Sequence, residues 1–230
     1  MNHKNLVFLG TSHIAKQSLD DVKRFIDEIK PDILAVELDR KRLPVLMENR
    51  PRKIDFRSIR VVGLKGFVFS LIGAWAEKKL GRLVGVSPGS EMKQAIRIAK
   101  QKKLKLALID QDIEITLKRL SQELTWKEKL NFLTDIFKAI FSRKKKIDFD
   151  LRTVPNKKII RQLMQELKER YPNIHKVLVE ERNIVIAHNL KKLAEQNPDK
   201  KVLVILGAGH VDDVLELLKE QEISYRFSVG

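Results

Sequence analysis

Two histidines, His13 and His210, each stand three residues after a glycine that closes an uninterrupted apolar run. The first run is Leu6-Val-Phe-Leu-Gly-Thr-Ser-His13 and the second is Val202-Leu-Val-Ile-Leu-Gly-Ala-Gly-His210. Two more apolar runs end in carboxylates. Ile33-Leu-Ala-Val-Glu37 is followed by Asp39 and Arg40, and Leu104-Lys-Leu-Ala-Leu-Ile-Asp110 by Asp112. Imidazole and carboxylate together suit a divalent cation such as zinc, manganese, cobalt or iron. With an open coordination position, such a cation lowers the pKa of bound water and makes a hydroxide nucleophile near neutral pH. A further carboxylate could then shuttle protons. The plainer alternative is that the two histidines only hydrogen-bond neighbouring turns, but packing alone does not readily repeat a strand-Gly-x-x-His pattern.

Glu181-Arg182-Asn183 follows Val177-Leu-Val179 on a predicted helix. Asp110, Asp112, Thr116 and Arg119 are spaced so that several share a helical face or its entry turn. Arg40, Arg119 and Arg182 could each fork onto a carboxylate, holding a ligand in place or binding an anionic substrate group. For Glu181 and Arg182 a site role is preferred to a surface ion pair. His3, His175 and His188 have no comparable context and are read as ordinary.

The apolar runs read as parallel strands covered on both faces, and open parallel sheets bind ligands outside the carboxyl ends of their strands. His13, Glu37, Asp110 and His210 therefore converge on one rim. Ser18 is expected to cap a helix carrying Leu19, Val22, Phe25, Ile26 and Ile29 up to Pro31, giving a right-handed β-α-β unit. A helix starts near Arg40 with Pro44 in its first turn, and Pro88-Gly-Ser90 caps another carrying Met92, Ala95, Ile96 and Ala99. Residues 113–195 read as a helical insertion between strands three and four, with helices at 115–120, 126–141, 156–170 and 174–193. The run 223–229 reads as an edge strand. Residues 61–84 are apolar but interrupted by Lys65, Ser70 and Glu77, and a bilayer span needs about 20 mainly apolar residues. A buried helix is preferred there to a membrane-facing lid.

At 230 residues and 43% hydrophobic, the chain can bury one sizeable core as a single domain. The absence of cysteine excludes disulfides, thiolate metal sites and a cysteine nucleophile. No signal peptide is expected, because Met1-Asn-His-Lys-Asn5 runs straight into the first strand. A cytoplasmic or membrane-associated location is expected. The net charge of +16 raises nucleic acid or an anionic membrane surface as partners. The basic residues are spread over helix faces, with a dense run only at Arg143-Lys-Lys-Lys146. No aromatic platform interleaves with them, which argues against nucleic acid.

Gly10-Thr-Ser-His13, Ala35-Val-Glu-Leu-Asp39 with Arg40, Pro88-Gly-Ser-Glu-Met92, Leu108-Ile-Asp-Gln-Asp-Ile-Glu-Ile-Thr116 with Arg119, Glu181-Arg-Asn183 and Gly207-Ala-Gly-His-Val211 form an ordered set over nearly the whole chain. That set resembles the TraB/PrgY family, related to the Tiki and GumN proteins. The resemblance implies one domain over residues 1–230: an α/β fold with a mainly parallel central sheet, flanking helices and a helical insertion, similar to erythromycin esterase and the ChaN proteins. It also implies a metal-dependent protease, since Tiki proteins are described as manganese- or cobalt-dependent. His13, Glu37 and His210 match the metal or catalytic positions, and Glu181 is expected to join them in catalysis. Arg40, Asp110, Arg119 and Arg182 match other motif positions and, with Asp112, are expected to contact substrate or support the ligands. The expected cofactor is manganese, cobalt or zinc, and the expected partner a peptide or protein substrate, with a homodimer left open. The competing expectations are a metal- or peptide-binding signalling regulator without turnover and a basic module for membrane surfaces or nucleic acid.

Overall fold

A strand that is apolar at every position must be covered on both faces, and Val202–Gly207 is buried throughout. A computed structural model, which describes residues 2–12, 16–48, 89–141 and 153–228, places this strand in the middle of the sheet. The strands are β1 (Asn2–His3), β2 (Leu6–Thr11), β3 (Ile33–Val36), β4 (Lys105–Leu108) and β5 (Val202–Gly207), in the order β1-β2-β5-β3-β4. All neighbours run parallel except β1, which pairs antiparallel with β2. Leu6 and Ile33 both stand opposite Val202, so side-chain alternation is in phase across the sheet.

That phase sorts the core into two layers. On one face Leu9, Leu34, Val36, Leu203 and Ile205 pack against Val22 and Ile26 of α1 (Lys16–Ile29) and against Met92, Ala95 and Ala99 of α3 (Ser90–Gln101). On the other, Leu6, Phe8, Ile33, Ala35, Val204 and Leu206 meet Ile186 and Leu190 of α8 (Glu181–Glu195) and Val214 and Leu218 of α9 (Val211–Ser228). Gly10 lies under α9. A Cβ at Gly10 would come within 3.3 Å of Val211, so the glycine lets the helix approach the sheet. Of the remaining helices, α2 is Arg42–Glu48, α4 Ile113–Glu123, α5 Trp126–Phe141, α6 Lys157–Arg170 and α7 Pro172–His175, the last continuing through a π turn, Lys176–Glu180, into α8.

Three local expectations differ from the structure. Ser18 does not cap α1, which already begins at Lys16; its hydroxyl accepts from the Ser12 N–H at 2.9 Å and ties the end of β2 to the helix. The start of α3 is Gly89 in the left-handed region (φ 78), with no side-chain cap, and Ser90 is already helical. Ile223 to Ser228 continue α9 and do not form an edge strand. No glycine or proline interrupts the chain there after Val211, and the Leu-, Glu- and Lys-rich stretch before it favours helix. His13, Pro88, residues 61–84 and the run Arg143 to Lys146 lie outside the described residues. No described helix is long and apolar enough to cross a membrane.

The stretch between β4 and β5 has its own cluster, Leu120, Leu124, Ile174 and Val177, and a polar fastening at Glu128. The carboxylate of Glu128 accepts from the N–H (3.1 Å) and hydroxyl (3.0 Å) of Thr125, a capping box at the start of α5. It also accepts from the Asn173 N–H (2.7 Å) and the Ile174 N–H (3.3 Å) at the start of α7. One buried side chain thus joins two helix starts. Burial alone would raise its pKa, but these donors outweigh burial and hold it below the ordinary value. A depressed folded-state pKa contributes stability above the unfolded pKa, and that contribution is lost as pH falls through the folded value. Glu128→Gln is therefore expected to cost about 1–3 kcal/mol at neutral pH. The deficit should shrink in urea titrations run below about pH 4, the ordinary carboxylate range. An equal deficit at both pH values would count against the charge as its source.

Candidate functional site

Parallel register carries the ends of β2, β3 and β5 to one rim. There the Thr11 carbonyl accepts from the Ala208 N–H at 2.8 Å, and the Glu37 N–H donates to the Ile205 carbonyl at 3.2 Å. The Glu37 side chain, on a residue only 5% exposed, turns back across β5, where its Oε2 accepts from the Gly207 N–H at 2.6 Å. Its Oε1 is paired with Arg182 Nη2 and lies 3.6 Å from His210 Nε2.

Arg182 sits in the first turn of α8 and joins this carboxylate to a second one. Its Nε donates to Asp110 Oδ1 at 3.0 Å and its Nη2 to Asp110 Oδ2 at 2.7 Å, while Nη1 donates to the Leu178 carbonyl of the π turn at 3.0 Å. The Asp110 carboxylate is completely buried and also pairs with Arg42 Nη2. Arg42 in turn pairs through Nε with Asp39, whose Oδ1 accepts from the Lys41 and Arg42 N–H groups at 2.7 and 3.0 Å and so caps α2. Burial lowers the pKa of the Arg182 guanidinium, but Asp110 and Glu37 outweigh burial and hold it above its usual value. The same balance, with Asp110 and Asp39, raises Arg42. Along this line of contacts the carboxylates of Asp39, Asp110 and Glu37 alternate with the guanidiniums of Arg42 and Arg182.

His210 ends the turn after β5. Its N–H donates to the Gly207 carbonyl at 2.9 Å, and its carbonyl accepts from the Val214 N–H at 3.0 Å, the first turn of α9. On the ring, Nδ1 is 2.6 Å from Asn183 Oδ1, and Asn183 Nδ2 donates to Asp213 Oδ2 at 3.1 Å.

The structure thus brings Glu37, Asp110, Arg182 and His210 into one network of contacts. Of the other predicted positions, His13 lies outside the described residues, and the described contacts of Asp112, Arg119 and Glu181 are made elsewhere. Arg40 is exposed, and Arg42 takes the pairing expected of it. Asp112 caps α4, accepting from the Glu114 N–H at 2.8 Å. Glu181 accepts from Arg119 at 3.1 and 2.7 Å, in an ion pair between α4 and α8 that reaches Glu123 at 3.0 Å. Arg42 had a usable signal, since it stands three residues after Asp39 across a helix start. Asn183 had only its place beside Arg182.

Among the described residues, no group of three His, Asp or Glu side chains is set to hold a metal ion. Two of the three predicted donors are described, however, and they suit one. An imidazole nitrogen and a carboxylate oxygen sharing a cation at about 2.0–2.2 Å from each would stand roughly 3–4 Å apart. His210 Nε2 and Glu37 Oε1, at 3.6 Å, meet that spacing, and Oε1 is the oxygen that Arg182 holds.

A sequence model of the TraB/PrgY/gumN family matches residues 2–226. MJ1365, an uncharacterized protein of Methanocaldococcus jannaschii, is 37% identical over 227 residues, covering 96% of this chain and 55% of that protein. TraB domain-containing proteins of Mus musculus and Homo sapiens are each 24% identical, over 236 and 237 residues that cover 90% of this chain and 60% of theirs. The chain therefore spans little more than half the length of these relatives.

Proposed function

Because this chain belongs to the TraB/PrgY/gumN family, we propose that its rim is the site of a metal-dependent peptidase or related hydrolase. The observation that carries the reading is the buried Glu37 carboxylate beside the His210 imidazole, 3.6 Å apart, at the carboxyl ends of adjacent parallel strands. Glu37, His210 and, from the sequence, His13 would hold a manganese, cobalt or zinc ion. Such an ion, when bound, supplies a Lewis acid and an activated water for attack on a peptide carbonyl.

The chain's own groups do the positioning. The Gly207 N–H fixes one oxygen of Glu37 and Arg182 the other, so the carboxylate has little rotamer freedom left to lose on binding a ligand. Asp110 keeps Arg182 aimed, and Arg42 keeps Asp110 paired, so the guanidinium that meets Glu37 is held at a defined place. Glu37 serves the proposed site through Oε1, as a ligand or as the general base. The parallel sheet with both faces covered supports the finer assignment to the scaffold of erythromycin esterase and the ChaN proteins.

The test is turnover of a peptide library by the metal-free protein with manganese, cobalt or zinc added back. Cleavage that appears with metal and disappears with chelator is expected. Metal binding with no cleavage of any peptide would favour the non-catalytic regulator instead.

A further inference from the structure

We infer that Asn183, oriented by Asp213, is a positioning residue that fixes which nitrogen of His210 carries the proton. The inference rests on the proposed role of His210 as a ligand. A neutral imidazole has one N–H and one lone pair, and the hydrogen bond at one nitrogen decides what the other can do. The contacts run in one direction. Asp213 Oδ2 lies 3.1 Å from the Asn183 side chain, and a carboxylate accepts, so it selects the amide nitrogen. The Asn183 oxygen is thereby turned toward His210 Nδ1 at 2.6 Å. An amide oxygen only accepts, so Nδ1 is an N–H, and in the neutral ring the lone pair stands on Nε2, the nitrogen nearest Glu37.

Each link comes from a different place in the fold. Asn183 is on α8, one residue after Arg182, and only 2% exposed. Asp213 and His210 flank the start of α9, which packs on α8 against the same face of the sheet. The first turn of α8 therefore aims two side chains toward Glu37: Arg182 directly and His210 through Asn183. A metal-bound histidine donates its other N–H to a carboxylate, carbonyl or water, and loss of that partner costs about 10–100-fold in metal affinity. Here the partner is a neutral amide, which orients the ring without placing a second negative charge on it.

The experiment is ¹⁵N NMR of histidine-labelled, metal-free protein at a pH where the imidazoles are neutral, with His210 assigned by its substitution. The parent is expected to show a protonated Nδ1 and a bare Nε2. Asn183→Leu should lose that preference, and so should Asp213→Ala, a substitution at an exposed residue that remains usable if the buried one does not fold. Asn183→Asp keeps an acceptor oxygen and should keep the protonated Nδ1. Cobalt binding should weaken about 10–100-fold in Asn183→Leu or, where that protein does not fold, in Asp213→Ala. A parent ring with a bare Nδ1, or a folded variant lacking the amide or its carboxylate that keeps the parent tautomer, overturns the inference. Because the tautomer is read without metal, a protein that shows the parent pattern yet binds no cation would overturn the ligand reading and leave the orientation intact.

Discussion

Replacing Arg182 with leucine is expected to cost about 3–5 kcal/mol of stability, because a buried ion pair that loses one partner leaves its counter-charges uncompensated. Arg182 pairs with two carboxylates, Glu37 and Asp110, and both are almost completely inaccessible to water. Arg42 still holds Asp110 in the variant, but Glu37 Oε1 loses the Arg182 guanidinium. The natural comparison is Arg119→Leu. Arg119 makes a bidentate pair of similar geometry with Glu181, but both side chains are partly in water, and pairs of that kind are worth ~0–1 kcal/mol. Urea unfolding of both variants separates the cases. The midpoint should fall far more for Arg182→Leu, with the slope of the transition unchanged. Equal losses would mean that the site's ion-pair lattice is no more than a solvated surface network.

Glu37→Gln is expected to lower peptide turnover by about two orders of magnitude or more, within the ~10²–10⁴ that general acid-base groups contribute. The substitution keeps an oxygen for the Gly207 N–H and removes the charge that faces Arg182 and His210. Folding should survive, because Asp110 still pairs with Arg182. Parent-level turnover in a folded Glu37→Gln protein would exclude Glu37 from the chemistry.

The strands were legible because a parallel strand covered on both faces is apolar at consecutive positions, and their ends were legible because the apolar run stops. The order of the strands was not. That β5 slips between β2 and β3 depends on pairing partners far apart in the chain, which no local pattern encodes. The two-residue strand β1 is too short to have a period. Glu181 and Arg182 look like one motif in the sequence, but consecutive residues on a helix point about 100° apart. One therefore reaches Arg119 and the other Glu37 and Asp110. That Arg42 and not Arg40 makes the pairings with Asp39 and Asp110 has a related reason. The chain turns at Asp39, and only a residue one helical step later, Arg42, comes back over both Asp39 and Asp110. A capping serine at position 18 was plausible by type, but its hydroxyl is taken by the turn after β2.

Metal analysis of the protein purified without an affinity tag, followed by equilibrium dialysis against manganese, cobalt and zinc, tests the central claim most directly. The parent should bind one equivalent of at least one of these ions, and His13→Ala and His210→Ala should each lose it while melting near the parent. Full stoichiometric binding by both variants, or no binding by the parent to any of the three, would contradict the site as assigned.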